Sequence, residues 1–319
     1  MQSRRQCLAT MAALAAVPGA VAAPRKQARI AITFDLEMSR NFPTWETTHW
    51  DYEKGNLDEP TKRYTLGAAE RIKKAGGVLH SFVVGQVLEQ ENVDWLKQLA
   101  AEGHPLGNHT YDHVNVTAKL LEKIQYKFRR APWLIEDQEP MDVIRQNVHL
   151  CTAAMKKRLG VMPAGFRTPG GFRNGLKDRP DLQKLFQQQG FTWVSSQYAR
   201  HLTSQKPDAK IYDSIVAAQQ PSQPYRYPTG LIEIPMSPIS DIGAFRNGRW
   251  KLEWFLQAVR LAVEWAIENR AVFDFIAHPS CLGVVDPGFK TIDLICRLTN
   301  EAGDQAELTD LDRIAGSDL

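Results

Sequence analysis

The feature of this sequence that most limits its fold is a regular alternation of strand-like and helix-like segments. The strand-like segments are short and rich in β-branched and aromatic residues, whereas the helix-like ones repeat apolar residues every three or four positions. Met141 to Leu159 is one such helix, and Val272 to Ala277 is one such strand. Strands that alternate with helices form a mostly parallel sheet with the helices outside. Seven or so units without an internal repeat favour one α/β barrel over two separate domains.

Composition excludes several classes of protein. The 319 residues include 39 basic and 36 acidic ones, a net charge of +3, and 43% are hydrophobic. This balance is too apolar for a disordered chain and too neutral for a dedicated nucleic-acid binder. No segment reaches the roughly 18 uninterrupted apolar residues of a membrane span. We therefore expect no nucleic-acid partner and no transmembrane segment in the mature chain.

The first 22 residues have the features of a secretory signal peptide. Arg4 and Arg5 precede an apolar stretch over 7–17, and small residues at 20–22 match a cleavage site. The paired arginines favour the twin-arginine route, although an ordinary secretory signal has similar charges. We predict a signal peptide at 1–22, a single catalytic domain at 23–319, and a periplasmic or extracellular location.

Polar residues follow the predicted strands, at the point where each strand ends. In a parallel barrel the functional residues gather at the carboxyl ends of the strands. Each position alone has an ordinary structural explanation, such as a strand-end cap or a buried core histidine. Their joint occurrence at four successive segments predicts a site. The residues concerned are two acids, a histidine pair, an arginine and a further histidine: Asp35, Glu37, His109, His113, Arg167 and His278.

The histidine pair has metal-ligand spacing. His109 and His113 are four residues apart, so on a helical turn they would share a face and bind one divalent ion. A carboxylate is a natural third ligand, which leaves positions open for water and substrate. Either Glu37 or Asp35 could supply it.

Taken in order, these motifs resemble those of the polysaccharide deacetylase family, which carries the NodB-homology domain and is also known as carbohydrate esterase family 4. The resemblance spans Thr33 to His278, most of the mature chain. It implies a distorted (β/α) barrel of about seven strands and metal-dependent hydrolysis of acetyl groups on glycans. The matching pieces are Thr33-Phe34-Asp35, Gly107-Asn108-His109-Thr110-Tyr111-Asp112-His113, Gly165-Phe166-Arg167-Thr168-Pro169-Gly170-Gly171 and Ile276-Ala277-His278.

The resemblance also implies a role for each residue. Asp35 would be the catalytic base, His278 the acid, and Arg167 the cation that keeps Asp35 ionised. The predicted metal is zinc, and the same ligand types suit cobalt or nickel. The metal ligands would be Glu37, His109 and His113, and Pro169 and Gly170 would bind substrate. Trp193 and Tyr198 could also bind substrate by stacking on a sugar ring, or could equally be core aromatics at a strand end.

The sequence departs from the family pattern in two places. Most members have two adjacent aspartates in the first motif, whereas this chain has Asp35-Leu36-Glu37. The fourth motif keeps Trp193 but has no aspartate, so the partner that would orient His278 is unassigned there. Asp241 is a possible substitute.

The sequence therefore predicts an exported metal-dependent deacetylase that removes N- or O-acetyl groups from a glycan. Peptidoglycan, poly-N-acetylglucosamine, chitin oligosaccharides and acetylated xylan all suit this chemistry. Two alternatives stay open. One is an allantoinase-like hydrolase of carbon–nitrogen bonds in small ureide or imide rings, which the Asp35-Leu36-Glu37 departure permits. The other is an inactive, glycan-binding barrel. The sequence does not determine the oligomeric state.

Two further predictions concern the surface. The stretches Met38 to Lys62 and Lys206 to Thr229 are irregular and are predicted to form loops. Lys119, Lys123 and Lys127 are four residues apart, so on a helix they would share one face. Such a face is more often simply solvated than a binding surface for an anionic wall polymer.

Overall fold

The computed structural model describes residues 27–38 and 54–317. The predicted signal peptide at 1–22 lies outside the described residues. No helix in the described part of the chain is long and apolar enough to cross a membrane.

The described strands form one sheet that is parallel except at one edge. The sheet order is β6-β7-β5-β4-β3-β2-β1-β8, with β9 paired to the start of β1. Only the short β6–β7 pair is antiparallel. The strands are β1 (Ala28–Leu36), β2 (Leu79–Val83), β3 (Leu106–Asn108), β4 (Gly165–Phe172), β5 (Trp193–Gln197), β6 (Tyr225–Arg226), β7 (Ile232–Glu233), β8 (Val272–Ala277) and β9 (Ala306–Thr309).

Helices connect the strands along the chain. The predicted alternation of strands and helices is thus confirmed, and the fold is the expected α/β type. The helices are α1 (Glu59–Lys74), α2 (Asp94–Ala101), α3 (Tyr126–Arg130), α4 (Pro140–Leu159), α5 (Pro180–Gln188), α6 (Ala209–Ala217), α7 (Leu252–Glu268), α8 (Pro279–Val285), α9 (Lys290–Glu301) and α10 (Leu311–Ala315).

The sheet curls into a distorted barrel whose two edges are joined by backbone and side-chain hydrogen bonds. Across the gap, Ser237 donates its backbone N–H to the Asp274 carbonyl at 3.0 Å, and its hydroxyl accepts from the Asp274 N–H at 3.0 Å. The Gln223 side chain bonds both backbone groups of Val272, at 2.8 and 3.0 Å. These contacts satisfy strand-edge groups that a regular ladder would otherwise pair.

Local sequence explains where the longest helix begins and ends. Helix α4 starts with Pro140, whose missing N–H costs nothing in the first turn. It ends at Gly160, which has a left-handed φ of 72° and donates to the Lys156 carbonyl. Val148 and Cys151 are among its buried residues, so α4 packs one apolar face onto the sheet.

Several surface predictions were wrong. The stretch 206–229 contains helix α6, which Asp208 caps by accepting the Ile211 N–H at 3.1 Å. The stretch 38–62 contains the start of α1 at Glu59, and its residues 39–53 lie outside the described part. The lysines do not share a helix: Lys123 ends a short 3-10 turn, and Lys127 lies in α3 and pairs with Asp112 at 2.8 Å.

Candidate active site

The sequence-predicted polar residues converge at the carboxyl ends of the parallel strands. Asp35 is the penultimate residue of β1, and Glu37 follows that strand directly. His109 comes directly after β3, and His278 directly after β8. Arg167 lies inside β4, which extends beyond its predicted end. Neighbouring parallel strands thus bring these side chains to one end of the barrel.

The segment that carries the histidine pair is a bent turn, not the expected helical turn. Thr110 and His113 have left-handed backbone conformations, with φ of 60° and 58°. The Asn108 side chain accepts the Thr110 N–H at 2.8 Å, which diverts the backbone from a helix. Asn147 of α4 then accepts the N–H groups of Tyr111, through its carbonyl, and Asp112, through its side chain, at 3.1 and 2.7 Å. The left-handed backbone is strained, and such strain persists where the surroundings fix it.

The turn nevertheless brings both imidazoles to one carboxylate oxygen. Glu37 Oε1 lies 3.0 Å from His113 Nε2 and 3.4 Å from His109 Nε2. Each of these three residues offers one ligand atom, and the three atoms lie within 4.8 Å of one another. Two imidazoles and a carboxylate form the donor set of many catalytic zinc sites. The extra length of Glu37 therefore does not prevent it from meeting the histidines.

Hydrogen bonding of His109 supports this reading of the donor set. His109 is fully buried, and its Nδ1 lies 3.0 Å from the Arg167 carbonyl. A carbonyl only accepts, so Nδ1 carries a proton, and Nε2 is the ring atom that faces Glu37. Metal-binding histidines are commonly held by such a bond to their other nitrogen. These residues thus fit a divalent ion.

The charge on Glu37 is balanced by its neighbours. Burial alone would raise the pKa of Glu37, but His113, Lys54 and His278 hold it well below its ordinary value. Burial also lowers the pKa of His113 to about 4, despite the opposing pull of Glu37. A neutral His113 and an ionised Glu37 are the forms that bind metal. The Lys54 ammonium contacts Glu37 directly. Sequence reasoning missed Lys54 because it lies within the irregular stretch 38–62, where no motif singles it out.

Asp35 is fixed by a buried arginine. Arg167 Nη1 donates to Asp35 Oδ1 at 3.1 Å and to Thr33 Oγ1 at 2.7 Å. Its Nη2 donates to Asp274, and its guanidinium lies 4.2 Å above the Phe82 ring. Asp274 was not predicted, because it stands alone between two phenylalanines in an apolar strand. A lone carboxylate in a buried strand needs a cation, and this was the signal available in the sequence.

His278 is oriented by Asp241, the candidate that the sequence offered. Asp241 Oδ1 lies 2.9 Å from His278 Nδ1, and Oδ2 accepts the His278 backbone N–H at 2.7 Å. The imidazole Nε2 faces the site, 3.9 Å from Asp35 and 3.4 Å from Glu37. Burial opposes the charged form, but Asp241 and Glu37 raise the pKa of His278 to about 10. His278 is therefore protonated near neutral pH and able to donate.

A cavity of about 390 Å³ opens above these groups. Tyr198 and Gly170 line it, beside Asp35 and His278. Pro169 lines an adjoining cavity together with Gly170 and His113. Three of the four residues predicted to bind substrate thus lie around the site.

Trp193 is the exception. It is the first residue of β5, at the amino end of the strand, and it is fully buried. Its indole nitrogen donates to Asp312 of α10 at 2.9 Å, and its ring packs edge-on against Phe82. Because the predicted site lies at the carboxyl ends, the structure does not bring Trp193 to it. Trp193 packs instead in the core that α10 covers.

Comparison with known families identifies the class of protein. The polysaccharide deacetylase model matches residues 22–194, more than half of the chain. The chain belongs to the polysaccharide deacetylase family, whose members are hydrolases of non-peptide carbon–nitrogen bonds. No curated protein matches the sequence.

Solved structures show the same fold at low sequence identity. A candidate polysaccharide deacetylase from Mycobacterium smegmatis is 18% identical, with a TM-score of 0.59 over 96% of this chain and 93% of that one. A candidate polysaccharide deacetylase from Pseudomonas aeruginosa is 13% identical, with a TM-score of 0.62 over 90% and 89%. The Puue allantoinase is 14% identical, with a TM-score of 0.55 over 90% and 89%. These likenesses confirm the predicted distorted barrel and carry no information on substrate.

Proposed function

We propose that this protein is an exported, metal-dependent deacetylase acting on an N- or O-acetylated glycan. The observation that carries the proposal is the convergence of His109, His113 and Glu37 beside Asp35 and His278. One face of the cavity thus holds a metal-binding set, a carboxylate and a protonated imidazole. Hydrolysis of an acetyl group needs an activated water, charge stabilisation and a proton donor.

The residues divide this work between them. A bound divalent ion would polarise the acetyl carbonyl and acidify water. Asp35 accepts a proton from the attacking water, and Arg167 holds that carboxylate in place by donating to it. His278, which Asp241 holds in orientation, donates a proton to the departing nitrogen or oxygen of the sugar.

The identity of the substrate is tested by measuring acetate release from a panel of candidate compounds. The panel contains peptidoglycan, poly-N-acetylglucosamine, chitin oligosaccharides and acetylated xylan, together with allantoin and other ureides. We expect zinc-loaded protein to release acetate from at least one glycan and to leave the ureides intact. Ring opening of a ureide without acetate release from any glycan would instead establish the allantoinase-like alternative. Glycan binding with neither activity would establish the inactive barrel.

Replacing His109 by alanine should abolish tight metal binding. His109 is one of the three residues proposed to bind the ion, so its loss leaves two protein ligands. We expect zinc, measured by elemental mass spectrometry after dialysis, to fall from about one ion per chain to near zero. His149→Ala on helix α4 is the matched control and should keep its zinc. Full zinc occupancy in His109→Ala would show that the ion is bound elsewhere.

Export with cleavage of the signal peptide predicts a specific amino terminus for the mature protein. The segment 1–22 has a charged start, an apolar stretch and small residues before the cleavage site. Protein recovered outside the cytoplasm should begin at Ala23, as read by amino-terminal sequencing. Replacing Arg4 and Arg5 together by lysine should block export if the twin-arginine route is used, and should leave it intact for an ordinary signal. An exported protein that retains Met1 would contradict cleavage.

A further inference from the structure

We propose that the glycan extends from the catalytic cavity to a second sugar-binding position on the exposed ring of Trp133. This inference rests on the proposed function and adds the length of substrate that the site is built to hold. The glycan would be a chain of several sugars, gripped at a distance from the acetyl group that reacts.

Three cavities lead from the catalytic residues to Trp133. The catalytic cavity, of about 390 Å³, shares His113 and Gly170 with a neighbour of about 370 Å³. That neighbour shares Glu122 and Arg129 with a third cavity, of about 610 Å³, which Trp133 lines. Because neighbouring cavities have lining residues in common, they form a row from the catalytic residues to Trp133, which we call the groove. A small ureide ring would fill only its first part, whereas a linear glycan can follow all of it.

Trp133 is held outward by a well-anchored turn. The Trp133 side chain is 68% exposed, more than any other large apolar side chain among the described residues. It lies in the 3-10 turn Pro132–Leu134, which begins just after α3. Phe128 and Ile135, on either side of this turn, are each only 5% exposed and pack into a core cluster. The ring is thus displayed by a fixed backbone, which reduces the entropy lost on binding.

The chemistry of this end of the groove suits a sugar. An exposed indole offers a flat apolar face with negative π density, on which the C–H face of a pyranose can stack. Glu122 and Arg129 provide charged groups along the wall, suited to hydrogen bonds with hydroxyls.

The test measures acetate release from N-acetylglucosamine oligosaccharides of increasing length, from the disaccharide upward. For the wild-type protein we expect KM to fall as the chain becomes long enough to reach Trp133. Trp133→Ala should raise KM for the longest substrates roughly tenfold and leave kcat and the disaccharide KM unchanged. A tenfold change corresponds to about 1.4 kcal/mol, which is the size of one aromatic stacking contact. Trp133→Phe should recover most of the affinity. Met162→Ala, at an exposed apolar side chain outside the groove, should behave as wild type.

The outcomes separate this inference from the proposed function. Equal length dependence in the wild type and in Trp133→Ala would overturn the Trp133 position while the deacetylase activity stands. An equal loss of affinity for the disaccharide would also overturn it, since the ring would then act on the catalytic cavity itself. Absence of acetate release at every length, together with none from any glycan of the panel, would contradict both proposals.

Discussion

Asp35→Asn protein is expected to fold, to bind its metal ion, and to release acetate roughly 10²- to 10⁴-fold more slowly than the wild type. Asparagine has the same shape and its amide oxygen can still accept from Arg167, which lies 3.1 Å from Asp35 Oδ1. It cannot accept the proton of the attacking water. The loss should therefore appear in kcat, with zinc content and melting temperature close to those of the wild type.

The control for Asp35→Asn is the same substitution at a carboxylate outside the site. Asp293 is half exposed and pairs with Arg71 on the surface. Asp293→Asn should retain full activity, which controls for the substitution itself. If Asp35→Asn kept more than about a tenth of the wild-type rate, Asp35 would not be the base.

Arg167→Met is expected to destabilise the protein by about 3–5 kcal/mol as well as to inactivate it. The Arg167 guanidinium is fully buried between Asp35 and Asp274, and its removal leaves both buried carboxylates without their cation. Burial already raises the pKa of Asp274, and Arg167 opposes that rise. Without Arg167 the pKa of Asp274 rises further, and stability is lost as the pH rises through it. The deficit relative to wild type should therefore shrink as the pH is lowered.

Urea unfolding followed by circular dichroism measures this deficit. Arg71→Met is the matched control, because it breaks an exposed ion pair with Asp293 and should cost less than about 1 kcal/mol. Adding Asp274→Asn to Arg167→Met should recover part of the stability, since a neutral amide replaces one unpaired charge. A free energy of unfolding equal to that of the wild type for Arg167→Met would refute the pairing of Arg167 with buried carboxylates.

The sequence predicted the parts of the site that strand ends position. Asp35 and His278 end or follow strands that apolar, β-branched composition identifies, and His109 follows the short segment 105–107. Parallel pairing then places these residues together. Arg167 could be predicted in the same way, because its strand, β4, pairs with β3 in the same sheet. Asp241 could be suggested because the fourth motif lacked its aspartate.

What the sequence did not predict depends on contacts between distant segments. The left-handed turn at Thr110 arises from side-chain bonds of Asn108 and Asn147, and the spacing of the histidines alone suggested a helix. Trp193 looked like a sugar platform because aromatic residues serve both cores and binding sites. Only its position at the amino end of β5, against Asp312, distinguishes the two.

The central claim is that the three-residue set of His109, His113 and Glu37 holds the ion on which acetate release depends. The most direct test removes metal with a chelator and returns zinc in measured steps, while acetate release from the active glycan is followed. We expect no release by the metal-free protein, and a rate that rises in proportion to bound zinc until about one ion per chain is bound. Full acetate release by the metal-free protein would contradict it.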